Sequence, residues 1–288
     1  MVNNQAPAFY RRRVRDALRK AREKAGHTQR QAAERLDWSL SKLVRIEAGT
    51  VGVSTTDLRA LLQLYGVNDQ ADVEALVEMS RATRRRPWFS KYQDILNPAF
   101  AQYLGYESSA AIIRGFEPLA IPGLLQTDDY GRAVLVASGA SQIDERVELR
   151  VARQELLDSD DCPRIYYVLD EAALHRRVGG AAVMRGQLRH LRKLMAHPQI
   201  SVQVIPFATG AHSSMSGSFT ILEFADWDED VLYQETARGS VTSREDQDRV
   251  ADYRVSFDLL WAASLEEHET DELIDSLIRS LESAGSER

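Results

Sequence analysis

The sequence predicts two domains of different class, an all-α N-terminal helix-turn-helix domain followed by an α+β C-terminal domain. Three observations carry this expectation. The chain has 288 residues, 44% of them hydrophobic, which is enough apolar material for two ordinary cores. Apolar residues recur at helical spacing to about residue 83, then give way to short runs rich in Ile, Val, Tyr and Phe that alternate with helical stretches. The charge is also divided. Residues 1–66 hold thirteen Lys and Arg against six Asp and Glu, net +7; the remainder holds twenty-three against thirty-seven, net -14, within a formal total of -7. A basic head suits a polyanionic partner, or is a solvated face, whereas an acidic body is repelled by phosphates and has another task.

In the head, Val14, Leu18 and Ala21 predict a helix ending near Gly26, where glycine can take the left-handed C-cap conformation. Thr28-Gln29-Arg30-Gln31 is a Thr-x-x-Gln capping box that opens a second helix over about 29 to 36. Asp37 and Trp38 interrupt it. Ser39 offers a fresh N-cap for a third helix through Leu43, Ile46 and Glu47, which stops at Gly49. Two short helices joined by so tight a turn, with Ala32, Ala33 and Leu36 facing Leu43 and Ile46, match a helix-turn-helix unit. Leu58, Leu61, Leu62 and Leu64 predict a further helix over 56 to 65, and 72 to 83 reads as helical.

Arg84-Arg85-Arg86-Pro87 is the expected boundary, since proline turns its predecessor away from helix. The expected domains are therefore 1–83, a linker at 84–87, and 88–288. Strands are predicted at 111–116, 164–169, 200–207, 218–224 and 231–234, and helices at about 128–138, 144–158, 181–196, 245–264 and 269–283. The last helix carries Leu273, Ile274, Leu277, Ile278 and Leu281 on one face, which must bury against its own domain or a second copy.

Several function classes are excluded or disfavoured. Mean hydropathy is -0.35, and apolar runs such as Leu259-Leu260-Trp261-Ala262-Ala263 fall far short of the roughly 18 residues that cross a bilayer. The start runs from polar residues into Arg11-Arg12-Arg13 without an apolar segment, so no membrane association and a cytoplasmic location are expected. The single cysteine, Cys162, allows neither an intrachain disulfide nor a CxxC site. His175, His190 and His197 lack metal-ligand spacing, and His268-Glu269 lacks the second histidine of a zinc helix. Asp170-Glu171 is a weak cation candidate, because adjacent strand residues point to opposite faces. The loop Thr209-Gly210-Ala211-His212-Ser213-Ser214-Met215-Ser216-Gly217 brings serines beside a histidine, but there is no Gly-x-Ser-x-Gly elbow; it reads as a hairpin connection or a loop that holds a small ligand or peptide. No catalytic residues, no cofactor and no metal site are expected.

The ungapped run from Thr28 to Gly49 resembles the helix-turn-helix of the XRE, or lambda-repressor-like, regulators, in its Thr-Gln opening, small Ala33, Ser39 cap and Arg45-Ile46-Glu47-x-Gly49 close. Asp37 stands where that family usually has glycine, and aspartate tolerates the left-handed conformation better than most residues. Trp38 replaces an aliphatic residue and is expected to fill the core beneath the turn. The resemblance implies that the second helix of the pair lies in the major groove of double-stranded DNA. Leu40 then contacts a thymine methyl, Ser41 donates or accepts, and Val44 and Arg45 follow one turn on; Arg45 reads guanine or meets only phosphate. Lys42, and Gln29 with the free amides at its helix start, are expected on phosphates, and Arg30 and Ser39 complete the expected DNA-binding residues. Arg11, Arg12, Arg13 and Arg15 add phosphate contacts or form a solvated face, while Arg81 and Arg84-Arg85-Arg86 track the flanking backbone or form an ordinary flexible linker. A single module covers little DNA, so a homodimer on inverted half-sites is expected.

The body, in turn, is similar to the C-terminal domain of a group of actinobacterial regulators, some described as antitoxin-like. The similarity rests on Pro118-Leu119-Ala120-Ile121-Pro122-Gly123-Leu124-Leu125-Gln126-Thr127 with Tyr130, on Asp170-Glu171-Ala172-Ala173-Leu174, on Val178-Gly179-Gly180 with Gln187-Leu188, and on Val202-Gln203-Val204-Ile205-Pro206-Phe207 with Gly210-Ala211-His212 and Ser216-Gly217-Ser218-Phe219. It implies a transcription regulator, often encoded beside a small partner protein that the body engages. The alternatives are an antitoxin that mainly neutralises that partner, and a small-molecule-gated sensor.

Overall fold

The computed structural model describes residues 7–84, 86–159, 162–224, 229–236, 239–244 and 246–286. The side chain of Arg12 and the whole of Arg85, both in the basic runs, lie outside the described residues. The chain divides into two compact units, one of residues 1–91 with 104–109 and the other of residues 92–103 with 110–288.

The first unit is helical: α1 (Pro7–Lys24), α2 (Gln29–Arg35), α3 (Leu40–Glu47), α4 (Thr55–Leu64) and α5 (Gln70–Ala82). Each helix after α1 begins where a side-chain oxygen meets a free amide. Thr28 and Gln31 form the full capping box on α2, Ser39 accepts from the Lys42 amide, Ser54 from that of Asp57, and Asp69 from those of Ala71 and Asp72. Leu18, Ala32, Leu43, Leu58, Leu61 and Val77 close one core. The first helix begins at Pro7, earlier than its apolar spacing indicated, because Tyr10 is also buried.

A 3-10 helix (Trp88–Ile95) and α6 (Pro98–Glu107) follow. Neither was predicted: α6 has no polar face to mark a period, since Tyr103, Leu104, Gly105 and Glu107 are all buried, and its start is set by Asn97 Oδ1 accepting from the Phe100 amide at 2.7 Å.

The second unit is an α+β body: β1 (Ile112–Glu117), α7 (Asp128–Ala137), α8 (Ile143–Gln154), β2 (Arg164–Asp170), α9 (Glu171–His175), α10 (Ala181–Met195), β3 (Ile200–Ile205), β4 (Phe219–Glu223), β5 (Val231–Thr236), β6 (Gly239–Ser243), α11 (Gln247–Ala263) and α12 (Glu267–Ser286). The sheet order is β3-β2-β1-β4-β5-β6; β1, β2 and β3 are parallel, and β4, β5 and β6 add antiparallel. On one face Phe116, Val168, Phe219, Ile221 and Leu232 pack on Val250, Phe257 and Leu260 of α11. On the other, Gly115 sits under the ring of its β2 partner Tyr167, where an added Cβ would lie 2.2 Å from the ring.

Two strand expectations are corrected. The run expected to reach residue 207 ends at Ile205, because Pro206 has no amide to donate and Phe207–Thr209 turns as 3-10 helix. β6 was missed, since Gly-Ser-Val-Thr-Ser has no apolar alternation. The apolar stripe of α12 is used within the unit: Ile274, Ile278 and Leu281 are buried and α12 packs on α10, where Arg192 pairs with Asp271 and Asp275 at 2.6 Å each.

Candidate nucleic-acid interface and a charged cavity

Helices α2 and α3 are joined by a turn in which Asp37 adopts φ 55°, the left-handed conformation, while the Trp38 amide donates to Ala33 O at 2.9 Å. Trp38 is half-buried against the core, and Lys42 Nζ sits 3.6 Å from its ring centroid. Packing then sorts α3 by face. Leu43, Ile46 and Glu47 are buried, while Leu40, Ser41, Val44 and Arg45 share the opposite, exposed face. Leu40 and Val44 are each 39% exposed, two apolar side chains one turn apart with water as their neighbour.

The other expected contact residues take different places. Arg45 lies back along its helix, with Nε donating to Ser41 O at 3.3 Å, and Arg30 is exposed on α2. Ser39 is exposed, and its hydroxyl is occupied as the α3 cap. Lys42 is half-buried and paired with Asp57 at 2.9 Å. The Gln29 side chain is half-buried and turned inward, its Nε2 donating to Glu47 Oε2 at 2.8 Å.

Glu47 is the residue that sequence reasoning passed over. It is buried on the apolar face of α3 and accepts from both Gln29 and Arg22, the latter through Nε at 2.8 Å; Arg22 Nη1 also donates to His27 O. The hydrogen bond to Glu47 raises the Arg22 guanidinium further above its ordinary value, and burial raises the neighbouring Tyr65 hydroxyl. The signal was present: Glu47 falls four residues after Leu43, so a charge on the buried stripe required a cationic partner.

In the second unit a cavity of about 220 Å³ lies against the sheet face that carries Gly115 and Tyr167. Glu117 and Glu235 enter it from β1 and β5, and Arg146, Arg150 and Arg153 from α8. Burial, with the charge of Glu235 second, pushes the Glu117 carboxyl up to about 8; burial, with the charge of Arg153 second, brings the Arg150 guanidinium down to about 10. None of these five was singled out from the sequence.

His212 of the 209–217 loop packs on Phe116, on the sheet face that α11 covers. His212 Nε2 is 3.7 Å from Asp170 Oδ2, and its Nδ1 accepts from the Ser214 backbone amide at 3.3 Å. The Ser214 hydroxyl donates to Gly217 O and that of Ser213 to Ser256 O, so neither serine hydroxyl is bonded to the imidazole. Asp170 is the cap of α9, accepting from the Ala172 amide, and Glu171 accepts from that of Phe207.

Residues 100–276, the sheet and its helices, match a family described as a domain of unknown function, DUF5753. The chain belongs to the DUF5753 family. Residues 13–76 of this DUF5753 chain match a helix-turn-helix domain, and that match with the exposed face of α3 makes it a DNA-binding protein of the transcription-regulator class. No curated protein and no solved structure matches the chain. Among the described residues, no helix is long and apolar enough to cross a membrane.

Proposed function

We propose that this chain is a cytoplasmic, sequence-specific transcriptional regulator of the XRE type, which binds as a homodimer to inverted half-sites and acts without catalysis. The exposed row Leu40, Ser41, Val44 and Arg45 carries this reading. An apolar pair at 39% exposure between a hydroxyl and a guanidinium fits the mixed methyl and acceptor pattern of a major-groove edge. Arg45 exchanges Ser41 O for a base edge, and Lys42 exchanges Asp57 for a phosphate. Gln29 and Arg30 at the start of α2 face the backbone. Gln29 contributes chiefly through its amide end, because Glu47 holds its side chain. The acidic body sets the spacing of the two heads and passes the state of a small partner protein, encoded nearby, to DNA affinity; the net charges of +7 and -14 support that coupling.

The test is binding of the full chain and its Arg45→Ala and Val44→Ala variants to its own upstream DNA and to random DNA. Loss confined to the upstream DNA supports the reading. Equal affinity of wild type for both DNAs removes sequence specificity. A second reading, a regulator gated by a small molecule, is favoured by the charged cavity in the body.

A further inference from the structure

Three arginines of α8, Arg146, Arg150 and Arg153, recur at helical spacing and enter the same cavity. Among the described residues Arg150 forms no ion pair with a carboxylate, and its side chain donates to Gln126, whose Oε1 accepts from Nη1 at 2.8 Å. The tips of Arg150 and Arg153 converge on Gly123. An atom placed at a Cβ position there would lie 2.8 Å from Arg150 Nη1 and 3.0 Å from Arg153 Nη1, space that glycine leaves to the two guanidiniums. Arg153 Nη2 donates to the Tyr103 hydroxyl at 3.2 Å, whereas burial and the charge of Arg153 both disfavour the charged form of Arg150, and an anion beside Arg150 offsets that cost.

The sheet side has the opposite character. The register aligns Gly115 with Thr220 and Thr220 with Tyr233, so two residues further on Glu117 and Glu235 stand on one face, about 10 Å apart across β4. Glu235 accepts from the Tyr233 hydroxyl at 3.1 Å, whereas the Glu117 carboxyl has no hydrogen-bond partner among the described residues. Between the charges stand aromatic walls: Phe100 and Tyr103 are stacked at 5.8 Å, and Tyr103 meets Tyr233 at 4.2 Å.

We propose that this cavity binds a small zwitterion, an amino acid or related amino-carboxylic acid with an apolar body, its carboxylate on Arg150 and Arg153 and its ammonium on Glu117 and Glu235. A purely anionic ligand would leave the Glu117 and Glu235 side chains without a cation, and a purely cationic one would leave Arg150 without an anion. Binding also has a protonic signature. Glu117 faces Glu235 and Tyr233 on β5, Arg150 and Arg153 on α8, Tyr167 on β2 and Tyr130 on α7. With a carboxyl that ionises near 8 it holds its proton at neutral pH, and an arriving ammonium displaces that proton to solvent.

The experiment is calorimetric titration of the full chain, without DNA, at pH 7 in two buffers of different ionisation enthalpy, so its failure is separate from any failure of DNA binding. The probes are L-phenylalanine, 3-phenylpropanoate and 2-phenylethylamine, with unbranched ω-amino acids of graded length. At least one zwitterion is expected to bind about tenfold or more tightly than either singly charged probe, with release of up to one proton. Glu117→Gln should abolish the proton release and Arg150→Met should weaken binding about tenfold, both variants keeping the wild-type far-ultraviolet dichroism. Binding of 3-phenylpropanoate as tight as that of L-phenylalanine and indifferent to Glu117→Gln overturns the proposal. So does the absence of binding by every zwitterion at millimolar concentration.

Discussion

Gln29 and Glu47, the first residue of α2 and the last of α3, are joined by a hydrogen bond of 2.8 Å from Nε2 to Oε2, and Arg22 of α1 bonds the same carboxylate. Three helices are thus fixed at one buried anion, which sets how far the exposed face of α3 projects from α2.

The first prediction concerns that anion. Glu47→Ala leaves the Arg22 guanidinium, 11% exposed, with only the more distant Glu23 carboxylate at 3.6 Å, and should cost about 3 kcal/mol of stability. Glu47→Gln retains an acceptor for Gln29 and should cost less. Urea unfolding of the full chain, followed by far-ultraviolet dichroism, measures both; a Glu47→Ala loss below that of Glu47→Gln contradicts the clamp.

A second prediction separates folding from recognition on α3. Val44 and Arg45 are exposed, so Val44→Ala and Arg45→Ala should change stability by no more than about 0.5 kcal/mol. At a cognate site, Arg45→Ala should cost about 1 to 3 kcal/mol and relax the preference at one base pair. Equal losses on cognate and random DNA would move Arg45 to the phosphate backbone.

Much of the first unit was legible because its signals are local. The Thr28 capping box, the Ser39 cap and the turn at Asp37 each involve residues within four positions of one another, and each is found as read. The inner strands were legible from their composition. β6 lacks apolar alternation, and α6, buried on several sides, lacks a period. The cavity was hidden for a different reason. The spacing of Arg146, Arg150 and Arg153 can be read along one helix, but Glu117 and Glu235 meet only through the order β1-β4-β5, which no short-range pattern encodes. Likewise the α12 stripe stated that it must be covered without stating that α10 covers it.

A third prediction tests the close approach at β1. Because a Cβ on Gly115 would fall 2.2 Å from the Tyr167 ring, and Tyr167 is 2% exposed, Gly115→Ala should cost about 1 to 3 kcal/mol or more. Tyr167→Leu removes the obstructing ring, so the double variant should lose less than the sum of the singles. Strict additivity in thermal unfolding would show that the ring moves aside freely.

A fourth prediction follows from Glu117. Its carboxyl ionises near 8 in the folded chain and near 4.5 when unfolded, so between those values the folded state holds the extra proton. Stability should therefore fall as pH rises from about 4.5 to about 8 and level off above. Glu117→Gln should flatten that part of the profile and stabilise the protein most above pH 8. An unchanged slope in the melting temperature against pH would place the carboxyl in water.

The most direct measurement of the central claim is the affinity of the full chain for its own upstream DNA and for random DNA at two salt concentrations. The account predicts a large ratio in favour of the upstream DNA, with log affinity falling against log salt by about 0.9 for each phosphate neutralised. It also predicts that the ratio falls by about ten- to a hundredfold in Arg45→Ala while the salt slope persists. Equal, weak binding to both DNAs, with Arg45→Ala indistinguishable from wild type, would contradict a sequence-reading role for α3.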